Sequence, residues 1–316
     1  MTGFDPAPLE ANRRRMTALL TDLTAREGMH PTALDAVKLA RADHNIPRAP
    51  VLYEPSIYIV ASGRKKGFIG DRQFVYDQNN YLVLSVPLPL ECVTEIGHDG
   101  PMLALAVRVD LSVVGELALK MGVRGRQEPV AADGCVQATP MNAPLSDAAV
   151  RLLECLRSPV DTAVLGPGIV REIVYHVLCG PRGDTLFAML SRNGPAAQIH
   201  ALLHRMHTNY TEPLNVTRMA DEIGMSVSAF HHNFKAVTGS SPLQYLKSVR
   251  LHKARMLMMH EGLGAAVAAE RVGYESASQF SREFKRFFGI RPTEEARRVR
   301  EIPGAGVAER IGAESA

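Results

Sequence analysis

Residues 226–242, SVSAFHHNFKAVTGSSP, return fifty residues later as SASQFSREFKRFFGIRP at 276–292. The shared pattern is S-x-S-x-F-x-x-x-F-K-x-x-x-G-x-x-P, identical at seven positions. Each copy predicts one helix with both ends written in. Ser226 and Ser276 are N-cap residues, whose hydroxyls accept hydrogen bonds from free N–H groups of the first turn. Ser276 with Gln279 fits a capping box. Phe230, Phe234 and Val237 fall at i, i+4 and i+7, as do Phe280, Phe284 and Phe287, and predict the buried face. Gly239 and Gly289 supply the left-handed stop. Just upstream of each copy lies a shorter helical run ending in glycine, TRMADEIG (217–224) and VAAERVG (267–273). The product, written twice, is helix, tight turn and capped helix. That is the helix-turn-helix, whose second helix enters the DNA major groove.

The face opposite the phenylalanines carries Ser228, Ala229, His232 and Lys235, with His231 at its edge. In the second copy it carries Ser278, Gln279, Arg282, Lys285 and Arg286, with Glu283 at the flank. These are donors for base edges and phosphates, arginine being the best reader of guanine. Lys235, Lys285 and Arg286 are the phosphate candidates. The helical run PLQYLKSVRLHKARMLMM (242–259) joins the copies. At a 1.5 Å rise it spans about 27 Å, so both reading helices can reach successive major grooves. Charge follows the same division. The stretch 196–300 has net charge +6, against −1 for residues 1–195 and −2 for 301–316. A basic domain beside a neutral one points to an anionic partner for that domain alone.

The rest of the chain has a different texture. Residues 9–26 show helical spacing. Short β-rich runs follow: SIYIVA (56–61), GFIG (67–70), QFVY (73–76), YLVLSV (81–86) and MLALAVRV (102–109), with turn residues between them. Such spacing predicts an antiparallel sheet closing as a small barrel or jelly roll. The basic run GRKKGF (63–68) is expected as a solvated hairpin. Helical patterns return at 111–121, 145–157 and 167–179. The cluster Asn193-Gly194-Pro195 breaks the chain.

The stretch 196–300 resembles the DNA-binding domain of the AraC/XylS family of bacterial transcription regulators. The matching pieces are MADEIGMSVSAFHHNFK (219–235), GSSPLQYLKSVRLHKAR (239–255) and RVGYESASQFSREFKRFFGIRP (271–292). The stretch YEPSIYIVASGRKKGFIGDRQFVYDQNNYLVLSVPLPL (53–90) is similar to the cupin-like sensory domain of one AraC subgroup. The resemblance implies seven helices in the reader domain and base contacts from both recognition helices. By motif position these are Ser228, His231 and His232 in the first, and Ser278, Gln279 and Arg282 in the second. Many relatives carry arginine where this chain has His232, a weaker and titratable reader.

The expected fold is therefore α+β with two domains. Residues 1–190 form a cupin-like β-barrel with flanking helices for sensing or dimerisation, and 191–195 a linker. Residues 196–300 form an all-α domain with two helix-turn-helix units, and 301–316 a flexible tail. The expected function is a non-enzymatic, sequence-specific transcription regulator responding to a small molecule. Its partners would be double-stranded DNA, an effector, RNA polymerase and a second copy of the chain. The alternative is the same DNA-binding domain fused to a ligand-free scaffold. A ligand pocket in the strands would be lined by Ile57, Ile59, Phe74, Tyr76 and Leu82, which serve equally as core. Cys92, following the run LVLSVPLPLE, is a candidate reactive thiol at a strand end, if exposed and near a cation.

No metal or other cofactor is expected. His200, His204 and His207 share a helix face, but no Cys or carboxylate completes a zinc site. The strand region lacks the clustered ligands of a metallo-oxygenase. No apolar run approaches the length of a membrane span. The start, MTGFDPAPLEANRRRM, lacks the apolar core of a secretory signal. The expected location is the cytoplasm, where the four scattered cysteines are free thiols.

Overall fold

The computed structural model describes residues 7–98, 100–122, 136–181, 183–190 and 195–300. Four of the five linker residues, 191–194, and the whole tail 301–316 lie outside them. The chain forms two compact units, one mainly of residues up to Ala201 and the other of residues from Leu202 on. The division falls within one helix, α7 (Pro195–Thr208).

The first unit opens with helix α1 (Ala7–Leu23) and nine strands: β1 (Gly28–Pro31), β2 (Val37–Ala42), β3 (Ile46–Tyr53), β4 (Ser56–Ser62), β5 (Arg64–Ile69), β6 (Arg72–Asp77), β7 (Asn80–Leu84), β8 (Leu88–Glu95) and β9 (Met102–Arg108). Helix α2 (Leu111–Lys120), strand β10 (Val136–Pro140) and helices α3 (Ala143–Cys155), α4 (Pro159–Val164), α5 (Gly166–Cys179) and α6 (Gly183–Phe187) complete it. Among the described residues, one sheet has six strands in the order β1-β2-β9-β4-β7-β10, and the other has four, β3-β8-β5-β6. This is a two-sheet, cupin-like jelly roll rather than one closed barrel.

Strand alternation divides the six-stranded sheet between two jobs. Val37, Leu39, Ile57, Ile59, Ala61, Tyr81, Val83, Leu103, Leu105 and Val107 join Met16, Leu19, Leu20, Leu152, Leu153, Ile173 and Val177 in one core. That face is therefore covered by α1, α3 and α5. Ion pairs Arg15–Glu154 (3.1 Å) and Arg151–Glu172 (2.5 Å) tie the same helices together at their rim. The intervening residues, Tyr58, Leu82 and Leu84 among them, turn to the four-stranded sheet. Tyr53 and Tyr58 meet edge-on across the sandwich, 4.5 Å between ring centres.

The second unit takes the part of α7 from Leu202 on, followed by α8 (Val216–Glu222), α9 (Val227–Thr238), α10 (Pro242–His260), α11 (Ala265–Arg271), α12 (Ala277–Phe288) and α13 (Pro292–Arg300). Seven helices among the described residues match the number expected. The caps form as the sequence predicts. Ser226 accepts from the Ala229 N–H and Ser276 from the Gln279 N–H. Gly239 and Gly289 close their helices at φ 71° and 77°, a backbone that L side chains rarely adopt.

Candidate functional sites

The two helix-turn-helix units are α8–α9 and α11–α12. Phe230, Phe234, Phe280 and Phe284 are all fully buried. Phe230 and Phe234 pack edge-on (5.6 Å), and Phe234 meets Tyr245 of α10 at 5.5 Å. In the second unit Phe280 packs on Phe284 (5.4 Å) and Phe284 on Phe288 (4.6 Å). Each phenylalanine pair turns the opposite face of its helix outward. Ser228, His231, His232 and Lys235 on α9 are all exposed, as are Ser278, Gln279, Arg282, Lys285 and Arg286 on α12. The sequence-derived reading residues thus fall together, four on one helix and five on the other. Among the described residues, the side chains of Arg282, Lys285 and Arg286 make no ion pair or hydrogen bond, so their charge is uncommitted.

Two polar hubs that sequence reasoning missed hold these helices. Glu283 is mostly buried and accepts from Lys247 Nζ (2.7 Å), Tyr274 Oη (2.9 Å) and Gln279 Nε2 (3.2 Å). Burial pushes its carboxyl up, but the three donors, Lys247 foremost, hold it below the usual carboxylate range. The Gln279 amide therefore reaches forward to Glu283, and the expected capping box is only half built. The second hub is Arg250 on α10. Its guanidinium donates to the carbonyls of Tyr210 (2.7 Å), Thr211 (3.2 Å), Glu212 (2.9 Å) and Gly273 (3.0 Å). One planar fork thus joins the loop before the first reading unit to the turn inside the second. In the sequence Glu283 is marked only as a carboxylate at the flank of a face of donors, and Arg250 only as one of several basic residues along 242–259.

The sandwich corrects three expectations. Ile57 and Ile59, named as pocket residues, face the helical layer, because the period-two alternation puts them beside Tyr81 and Leu105. Phe74, Tyr76 and Leu82 do lie on the inner faces, Phe74 stacked on Tyr76 at 6.0 Å. The run GRKKGF is not a hairpin: Arg64–Ile69 is a full strand paired on both sides, with β6 and β8. Cys92 lies mid-strand in β8 and is only 3% exposed, without the exposure a reactive thiol needs. Its Sγ is 3.6 Å from Tyr76 Oη and 3.9 Å from Tyr53 Oη, and the two phenols share a 2.6 Å hydrogen bond. Burial pushes both phenols well above their ordinary value, so both stay protonated. His200 is buried on α7, and burial lowers its imidazole to about 4. Among the described residues no group of three or more metal-ligating side chains comes together. No helix among them is long and apolar enough to cross a membrane.

Residues 33–185 match the family model of the AraC-type transcriptional regulator N-terminus, and residues 219–298 match a helix-turn-helix domain model. The chain belongs to the AraC family. This AraC-family chain is 30% identical over 123 residues to the HTH-type transcriptional activator RhaS of Escherichia coli. That match covers 39% of the chain and 44% of RhaS, so the chain spans less than half the length of the curated relatives it matches. Its fold is that of ToxT from Vibrio cholerae. Unsaturated fatty acid-bound wild-type ToxT is 13% identical, covers 86% of this chain and 97% of its own, and has a TM-score of 0.56. A variant of ToxT in its apo form is 10% identical, covers 86% and 98%, and has a TM-score of 0.57.

Proposed function

We propose that this AraC-family chain is a sequence-specific, DNA-binding transcription regulator whose sandwich unit binds a small effector. The observation that carries the DNA reading is the pair of capped helices with exposed donors on their outward faces, the charges of Arg282, Lys285 and Arg286 uncommitted among the described residues. Ser228, His231, His232, Ser278, Gln279 and Arg282 read bases; Lys235, Lys285 and Arg286 contact phosphates. The two readers are unequal. Arg282 can bond guanine O6 and N7 together, whereas a neutral histidine offers one donor and one acceptor. The fatty acid held by the ToxT structure supports the effector reading, as does the polar lining of the sandwich described below. RNA polymerase and a second copy of the chain are further partners, and the cytoplasm is the working compartment.

The test is in-vitro site selection with the full chain and two variants. Arg282→Ala relaxes sequence preference at one half-site, by about 1–3 kcal/mol of discrimination. Lys285→Ala weakens all sequences alike and lowers the salt slope by about one unit. An unchanged selected site for Arg282→Ala refutes the assignment of base reading to that face.

A further inference from the structure

Strand β5 sorts its basic residues by face. Arg64 and Lys66 point outward and share Glu95, at 3.6 Å and 2.5 Å. Arg48, on the neighbouring outer surface, pairs with Glu91 at 2.5 Å and lies over the Phe68 ring. Lys65 points the other way. Its cross-strand partners are Tyr76 and Thr94, and those of Gly67 are Phe74 and Cys92. Direct partners share a face, so Lys65, Phe74, Tyr76 and Cys92 all lie on the inner side of the four-stranded sheet. Among the described residues the Lys65 ammonium group has no carboxylate partner and no hydrogen bond; its Nζ lies 5.5 Å from the centre of the Tyr53 ring.

An ammonium group facing the inside of a sandwich without an anion is costly. Burial lowers the Lys65 amine from its ordinary value, which reports the same cost. Exposure varies across this inner face. Tyr53, Tyr76 and Cys92 are buried, whereas Lys65, Tyr58 and Phe74, on the same inner faces, keep partial contact with solvent. The buried groups are two hydroxyls that bond each other beside the Cys92 thiol, and the half-buried ones include one cation near the Tyr53 ring.

We propose that the inner face of this sheet binds a small carboxylate with an apolar body, with Lys65 as its counter-charge and the Tyr53–Tyr76 hydroxyl pair as its donor. One lysine balances one negative charge. A phosphate would call for the arginines or backbone N–H groups that this face does not offer. A neutral ligand would use the hydroxyls but leave the ammonium unpaired. The rings of Tyr58 and Phe74 give the apolar body its walls. The proposal rests on the effector reading and names the class of effector.

The experiment is calorimetric titration of the full chain with acetate, hexanoate, decanoate and benzoate, each beside its carboxamide. At least one acid binds more tightly than its amide, and Lys65→Met weakens that acid by about ten- to a hundredfold while leaving the amide unchanged. Without ligand, Lys65→Met unfolds at the same or a higher temperature than wild type, because an unpaired charge is removed. A destabilised Lys65→Met with unaltered acid binding marks Lys65 as structural and overturns the proposal. So does a panel in which no acid is preferred over its amide. Operator affinity with and without the tightest acid separates the two layers. Acid binding with no effect on operator affinity leaves the site standing and refutes the effector reading. An acid and its amide acting alike on operator affinity, in wild type and Lys65→Met, keeps effector sensing and refutes this site.

Discussion

His252 sits in the middle of α10, the helix that joins the two reading units, and is only 7% exposed. Its ring stands edge-on to Phe287 (5.4 Å) and Phe288 (5.2 Å), and its Nε2 has no hydrogen-bond partner among the described residues. Burial, and then the charge of Arg255, push its pKa down to about 3. In the unfolded chain a histidine titrates near 6.5. Between those values the unfolded state binds more protons than the folded one, so stability is full above about pH 6.5 and falls as pH drops toward 3. By pH 5 the loss from this one residue is about 2 kcal/mol, at about 1.4 kcal/mol per pH unit. His252→Leu removes the titrating group, so the variant gains about 2 kcal/mol relative to wild type on going from neutral pH to about pH 5. Urea unfolding of both proteins at the two pH values measures this double difference, in which other histidines, His200 included, cancel. Operator binding of the wild type should fade at a higher pH than that of the variant. Parallel pH dependence in the two proteins, or a His252 resonance titrating near the unperturbed value, refutes the reasoning.

Two other substitutions test the packing. A Cβ at Gly67 would lie 2.1 Å from Cζ of Phe74, so Gly67→Ala destabilises the sandwich unit by about 1–3 kcal/mol, and Phe74→Leu in the same chain restores most of it. Thermal unfolding reads both, and an unshifted Gly67→Ala transition refutes the contact. Arg250→Met strips four backbone carbonyls of their donor and destabilises the helical unit by about 3 kcal/mol or more. Arg250→Lys fails to restore it, because a point charge cannot span the fork. Wild-type stability in either variant refutes the clamp.

The helical unit was legible because its information is local. A serine cap, phenylalanines at i and i+4 and a left-handed glycine each act within one or two turns. Written twice, they specify two capped helices and their outward faces, with Ser228, His232 and Lys235 on one and Ser278, Arg282 and Arg286 on the other. The hubs were not legible, because Glu283 meets Lys247 and Arg250 meets Tyr210 only when helices far apart in sequence pack together.

In the sandwich the division is sharper. Alternation alone says that Ile57 and Tyr58 face opposite ways, but not which of them faces the helices. Composition marked GRKKGF as a solvated turn, yet pairing with β6 and β8 made it a central strand and turned Lys65 inward between its paired neighbours Arg64 and Lys66. Cys92 likewise moved from a strand end to a strand middle once β8 was placed. A period of two defines two faces. Only the sheet's partners on either side, the helical layer and the second sheet, decide which face meets apolar cover and which meets a cation, three phenols and a thiol.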